Sequence, residues 1–183
     1  MADQPKGTMD RTKGTQEAMR ASATEYVGAH KGLLVERKKC WNKPRLNLPS
    51  NYFTGNIPSC LGKLDKLFYL DLDKNKFEAQ DSQSGEFLSA LSNCPDLQTL
   101  SLYGNQLQGV LPHSVGNLSI MLQELNLGAN NLFGTVPRSI GALKNLEYLD
   151  LGGSNFVGPI PHSISNLSKL WRLNLSSNHF EGW

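Results

Sequence analysis

At 183 residues, with 39% hydrophobic and 19% charged side chains, the chain has the apolar material for one folded unit or one short solenoid and a surface built largely from neutral polar groups. Its net charge of +2 hides an asymmetry: residues 1–45 hold 10 Lys/Arg against 5 Asp/Glu, and residues 46–183 hold 8 against 11. No run approaches the roughly 18 apolar residues that cross a bilayer, residues 1–30 lack the apolar core of a signal peptide, and three cysteines without a CxxC pair exclude a zinc-type site.

The first thirty residues are rich in Gly, Thr, Ala and Gln, with Tyr26 and Val27 almost the only bulky apolar side chains besides methionines. Such a segment cannot offset its chain entropy by burial, so it is expected to be disordered, with at most a transient helix over 16–27. Residues 31–45 turn basic (Lys31, Arg37, Lys38, Lys39, Lys43 and Arg45 against Glu36) and read as a solvated linker or as a patch that contacts phosphate or lipid. The expected division is a disordered, partly basic tail over 1–44 and a repeat domain over 45–183.

From Arg45 onward the chain repeats itself. The units read Leu46-x-Leu48-xx-Asn51, Leu67-xx-Leu70-x-Leu72-xx-Asn75, Leu97-xx-Leu100-x-Leu102-xx-Asn105 and Leu122-xx-Leu125-x-Leu127-xx-Asn130. Two more follow, Leu146-xx-Leu149-x-Leu151-xx-Ser154 and Leu170-xx-Leu173-x-Leu175-xx-Asn178, the sixth incomplete. Starts at 67, 97, 122, 146 and 170 are separated by 30, 25, 24 and 24 residues, the signature of a solenoid. The Leu-x-Leu alternation puts two leucines on one face of a short strand, and stacked strands merge these rows into a core that no single unit could form. The amides of Asn51, Asn75, Asn105, Asn130 and Asn178 are expected to satisfy backbone groups where the chain turns inward, with Ser154 as a weak rung because a hydroxyl offers one donor where an amide offers two.

Each Asn is followed by a second shared block: Phe53-Thr-Gly55-Asn-Ile57-Pro58, Leu107-Gln-Gly109-Val-Leu111-Pro112, Leu132-Phe-Gly134-Thr-Val136-Pro137 and Phe156-Val-Gly158-Pro-Ile160-Pro161. With this block the sequence resembles the plant-specific class of leucine-rich repeats, LxxLxxLxLxxNxLxGxIPxxLGxL, along nearly all of residues 46–183. The resemblance implies an α/β-type leucine-rich-repeat solenoid with a parallel β-sheet on the concave face and short second strands and 3-10 turns on the convex side. The lengthened second unit, residues 75–97, resembles the irregular repeat in ectodomains of the receptor-kinase subfamily that includes grass disease-resistance receptors. Departures from that pattern are the missing kinase domain and membrane helix, and the missing paired-cysteine cap at either end. The chain therefore reads as a piece of a longer receptor or a truncated product of that ancestry.

No Gly-rich phosphate loop, HExxH, GxSxG or Asp-rich calcium loop occurs, so no catalytic residue, metal ligand or cofactor is expected and the chain does not read as an enzyme. His113 and His162 each follow the proline of their unit, and the repeat accounts for their recurrence. Cys40, Cys60 and Cys94 read as separate buried or free thiols. Asn117, Asn166 and Asn174 open Asn-Leu-Ser sequons, which accept glycans if the chain passes through the secretory route.

The positions free to encode a partner are the outward ones on the strands. They place Tyr69, Tyr103 and Tyr148 with Asp71, Asp73, Glu124 and Asp150 on one concave sheet, a rigid aromatic surface with a negative bias. The resemblance implies a recognition module that binds a protein or peptide ligand there, with a co-receptor as a further partner, no nucleic acid, and a cell-surface or extracellular setting. The missing signal peptide leaves the cytoplasm open. Two other readings stand beside this one: a secreted inhibitor or ice-binding protein of the polygalacturonase-inhibitor-like type, and an intracellular interaction scaffold.

Overall fold

The structure, a computed structural model, describes residues 44–79 and 84–182. The tail expected to be disordered lies outside the described residues, except Pro44 at its end. Among the described residues, twelve short strands alternate between two sheets. The odd-numbered strands, β1 (Arg45–Asn47), β3 (Tyr69–Asp71), β5 (Thr99–Ser101), β7 (Glu124–Asn126), β9 (Tyr148–Asp150) and β11 (Arg172–Asn174), form a six-stranded parallel inner sheet in chain order. The even-numbered strands, β2 (Thr54–Asn56), β4 (Lys76–Ala79), β6 (Gln106–Val110), β8 (Asn131–Gly134), β10 (Asn155–Gly158) and β12 (His179–Phe180), form a second parallel sheet. The Gly-x-apolar-Pro block thus supplies the second strand. The chain then turns through 3-10 helices: η1 (Ser59–Lys63), η2 (His113–Asn117), η3 (Arg138–Ala142) and η4 (His162–Asn166). In the lengthened second unit the extra residues fold instead into an α-helix, α1 (Ser84–Leu91), whose Phe87, Leu88 and Leu91 join the core.

The leucine rows behave as their period requires. Leu70, Leu100, Leu125 and Leu149 are 0% exposed, as are Leu67, Leu97, Leu122 and Leu146. Each such side chain contributes about 1.5–3 kcal/mol by leaving water, but only because a neighbouring unit covers it. Phe53 stacks on Phe77 and Phe156 on Phe180, with ring centroids 6.0 and 6.2 Å apart, so the second sheet carries its own apolar seam.

The asparagines form the ladder. Asn130 donates from Nδ2 to the carbonyls of Leu102, Leu127 and Gly128, and its Oδ1 accepts the Leu107 N–H at 3.1 Å. Asn75, Asn105 and Asn178 repeat this arrangement, each joining its own unit to the one before. Asn51, in the first unit, bonds locally among the described residues, to Leu48 O and Pro49 O. The residue before each ladder position is left-handed in every unit: Ser50, Lys74, Gly104, Ala129, Gly153 and Ser177 have φ between 50° and 67°. Four of these are not glycine, and each costs roughly 1–2 kcal/mol for an L-residue. The ladder bonds are what hold the chain in that turn.

At Ser154 the ladder thins, with Oγ donating at 3.3 Å to Asn130 O while the residue is 7% exposed. Ser154→Asn is expected to stabilise the protein by about 1 kcal/mol or less by adding an interunit bond, read as a higher denaturant midpoint at unchanged slope. A lower midpoint would show that the site has no room for the amide.

The expectation of three separate thiols needs correction. Cys60 is disulfide-bonded and its partner lies outside the described residues, whereas Cys94 is a free thiol, 0% exposed. Position accounts for the difference. Cys60 is half-buried on η1 at the edge of the stack, while Cys94 is enclosed with Sγ donating to Leu61 O at 3.5 Å, and burial and the nearby Asp65 push its pKa up.

Candidate functional site

Strand register arranges the outward side chains of the inner sheet into rows. The first row reads Arg45, Tyr69, Thr99, Glu124, Tyr148, Arg172, and the second Asn47, Asp71, Ser101, Asn126, Asp150, Asn174. Just beyond the strands lie Asp73, Tyr103, Gly128, Gly152 and Ser176. The seven residues singled out from sequence therefore share one surface, interleaved with residues that prove as important.

Arg45 and Arg172 are the interleaved residues that matter most. The Arg45 guanidinium stacks 4.2 Å from the Tyr69 ring centroid, and that of Arg172 lies 4.7 Å from the Tyr148 ring. The two tyrosines are thus held between an arginine on the neighbouring strand and a carboxylate on their own. Tyr148 Oη donates to Asp150 Oδ2 at 2.8 Å, and Tyr69 Oη reaches Asp71 Oδ2 at 3.5 Å. Burial first, then the bond to Asp150 and its charge, push the Tyr148 phenol up to about 12, against the pull of Arg172. It therefore remains a hydrogen-bond donor at neutral pH. Tyr69 is raised by burial and by Asp71, with Arg45 opposing. Sequence position alone carried this signal: each arginine occupies the same place in its unit as the tyrosine in the next or preceding one.

The acidic residues divide by role. Asp150 is 4% exposed, and its oxygens accept from Tyr148 Oη, the Gly152 N–H at 2.8 Å and Asn174 Nδ2 at 3.0 Å. It presents almost no area to a ligand and instead positions Tyr148. A Cβ at residue 128 would sit 2.6 Å from Asp150 Oδ1, and one at residue 152 would sit 2.6 Å from Asn174 Nδ2, so the glycines there let these side chains lie flat across the sheet. Asp71 Oδ1 accepts the Asp73 N–H, and Asp73 Oδ1 accepts from Ser101 Oγ at 2.6 Å and the Tyr103 N–H at 2.7 Å. Burial, then the charge of Asp71, raises Asp73, while those two donors pull it down. Glu124 is half-buried at the centre of its row. Burial, Asp73 and Asp71 raise its pKa, and Arg172 lowers it.

The sequons divide as well. Asn117 and Asn166 are exposed at the ends of η2 and η4, whereas Asn174 is half-buried on β11 with its Nδ2 committed to Asp150. His113 and His162 open η2 and η4, exposed and away from the rows. Among the described residues no group of three His, Cys, Asp or Glu could hold a metal ion, and no helix is long and apolar enough to cross a membrane.

Comparison with known proteins agrees with this architecture. Family models described as leucine rich repeat match residues 120–180, and residues 45–64 and 96–118. The receptor kinase-like protein Xa21 of Oryza sativa subsp. japonica is 46% identical over 66 residues, 36% of this chain and 6% of that protein, so the chain spans a small part of the curated relatives it matches. The Arabidopsis receptor kinase HAESA, in complex with the peptide hormone IDA and the co-receptor SERK1, aligns with a TM-score of 0.66 at 32% identity over 74% of this chain and 22% of that one. A chain of the BIR3–SERK2 complex from Arabidopsis thaliana aligns with a TM-score of 0.63 at 31% identity, over 75% of this chain and 69% of that one. The repeat consensus, the two parallel sheets and these matches together show that the chain belongs to the plant-type leucine-rich-repeat family and is similar to part of a plant receptor-kinase ectodomain.

Proposed function

We propose that the protein is a recognition module whose inner sheet binds an extended peptide or peptide-like segment of a protein, and that a co-receptor is its second partner. The observation that carries this reading is the row Arg45–Tyr69–Thr99–Glu124–Tyr148–Arg172, in which both tyrosine rings are held rigid by an arginine on one side and a carboxylate on the other. Rigid aromatic side chains bury area at little entropic cost. Six strands about 4.8 Å apart span roughly 24 Å, the length of about seven extended residues. Asp71, Asp73 and Glu124 give the middle of that span a negative charge suited to a basic side chain. HAESA, similar in fold, is seen with a peptide hormone and a co-receptor, which supports the same class of partners here. The disulfide at Cys60 and the exposed sequons Asn117 and Asn166 fit a cell-surface or extracellular setting. No feature of the geometry favours the inhibitor or ice-binding reading.

The test is selection of a randomised heptapeptide library on the immobilised chain, followed by affinity measurement on variants. Tyr103→Ala and Tyr148→Ala should each weaken binding of the selected peptides by more than about 1 kcal/mol, with far-ultraviolet circular dichroism unchanged because neither ring belongs to the leucine core. His113→Ala with His162→Ala should change little. Affinity that ignores both tyrosines but follows the histidine pair would overturn the assignment.

A further inference from the structure

The layers of the solenoid differ in charge. The rows of the inner sheet hold Asp71, Asp73, Glu124 and Asp150 against Arg45 and Arg172. On the 3-10 flank of the later units the balance reverses. Segments 110–123, 135–146 and 159–171, which contain η2, η3 and η4, hold His113, Arg138, Lys144, His162 and Lys169 and neither Asp nor Glu. The matching segments of the first two units, 57–68 and 84–96, are mixed, with Lys63 and Lys66 against Asp65, Glu86 and Asp96. The repeat sets the position shared by His113, Arg138 and His162, but its consensus leaves the residue type there open, so the fold does not require a cation at any of them. The first carboxylate after the middle segment, Glu147, is half-buried at the approach to β9.

His113, Arg138 and His162 are exposed and each opens its 3-10 helix directly after a proline. Successive helices press on one another: a Cβ at residue 116 would lie 2.4 Å from Ser139 O, and one at residue 141 would lie 2.4 Å from Ser163 O. The three side chains therefore form one line along the stack, roughly 10 Å long at the spacing of neighbouring strands. At the His113 end, α1 packs against η2 and brings Glu86; at the other, Lys144 Nζ reaches Asn166 O at 3.5 Å, at the close of η4. We propose that this flank binds a linear anionic polysaccharide, with one carboxylate per sugar, along the line His113–Arg138–His162, with Lys144 and Lys169 beside it. Each exposed ion pair is worth only about 0.2–1 kcal/mol, so the line suits a polymer that engages several cations at once. An open surface gives a small anion no enclosure, and cations in single file match a chain better than a plane. The inference is independent of the peptide-binding proposal, because it concerns the 3-10 layer and not the rows of the inner sheet.

The experiment measures binding of the full chain to immobilised polygalacturonate at low ionic strength and pH 5.5, where histidine side chains gain charge. The methyl-esterified polymer and phosphatidylserine vesicles are run beside it. The parent protein should bind polygalacturonate and neither of the others. Arg138→Glu should weaken binding about five- to tenfold and Arg138→Gln less. His113→Gln with His162→Gln should weaken it about fivefold at pH 5.5 and less at pH 7.5, where the imidazoles of the parent have lost charge. Lys63→Glu changes the net charge as Arg138→Glu does, but on the mixed flank of the first unit, and should leave binding unchanged, as should Tyr148→Ala. All substituted residues but Tyr148 lie on the exposed flank, and thermal melts confirm folding; if Arg138→Glu does not fold, Arg138→Gln and the histidine pair decide. Equal losses from Arg138→Glu and Lys63→Glu would reduce the effect to net charge, and vesicles bound in place of the polymer would make the flank a membrane contact. Either result, no binding of polygalacturonate, or equal binding of its ester would overturn the assignment.

Discussion

Replacing Asn130 by Ala is expected to destabilise the protein by about 3–5 kcal/mol, as is replacing Asn75, which makes the same set of bonds. The methyl group leaves the carbonyls of Leu102, Leu127 and Gly128 and the N–H of Leu107 without their side-chain partner at a position 5% exposed. Each buried polar group so stranded costs about 1–3 kcal/mol, partly relieved where a carbonyl keeps a second bond. The left-handed turn at Ala129, φ 50°, loses its anchor in the same step. Because a whole domain is stable by only about 5–15 kcal/mol, urea unfolding of the variant should begin near the water baseline. Asn51→Ala is the control. Among the described residues that half-buried amide bonds within its own unit, so its loss should cost less than about 1 kcal/mol. Equal midpoints for Asn130→Ala and the parent protein would mean that water satisfies the turn and that the ladder does not join the units.

Gly141→Ala is expected to cost about 2–3 kcal/mol although it adds one methyl group. A Cβ at this position would lie 2.4 Å from Ser163 O and 3.0 Å from Ser163 C, on the backbone of the next unit. Both are backbone atoms that cannot swing aside, so η3 and η4 must move apart and loosen the packing around Ile140, which is buried on η3. Gly116 meets Ser139 O at the same 2.4 Å, and its substitution should behave alike. Gly182, with nothing within 4 Å, should accept Ala with no measurable change. Thermal melts of the three variants check this ordering; a Gly141→Ala melt that overlays the parent curve would show that the 3-10 stack is loose.

Much of the fold is legible in the residues themselves because a repeat is a local statement made six times. Leu-x-Leu specifies a strand with one buried face, the Asn specifies the inward turn, and the constant spacing specifies which strands lie side by side. The inner sheet, its register and the rows of outward residues follow from that spacing alone, as does the weak rung at Ser154. The concave positions of Tyr69, Tyr103, Tyr148, Asp71, Asp73, Glu124 and Asp150 were legible for the same reason.

The tertiary structure decided whatever depends on side chains from different units meeting at particular distances. Asp150 has the same sequence context as Asp71, yet it is buried because Gly128 and Gly152 let Tyr148, Asn174 and the backbone close around it. The stacking of Arg45 on Tyr69 and Arg172 on Tyr148 arises across strands 24 residues apart in the chain and sets the rings that a ligand would meet. Extra residues in the second unit become helix α1 and not a longer turn, because Phe87, Leu88 and Leu91 then reach the core together. Cys60 and Cys94 could not be told apart by spacing. One lies at the edge of the stack and the other beneath it, and only stacking distinguishes an edge from an interior.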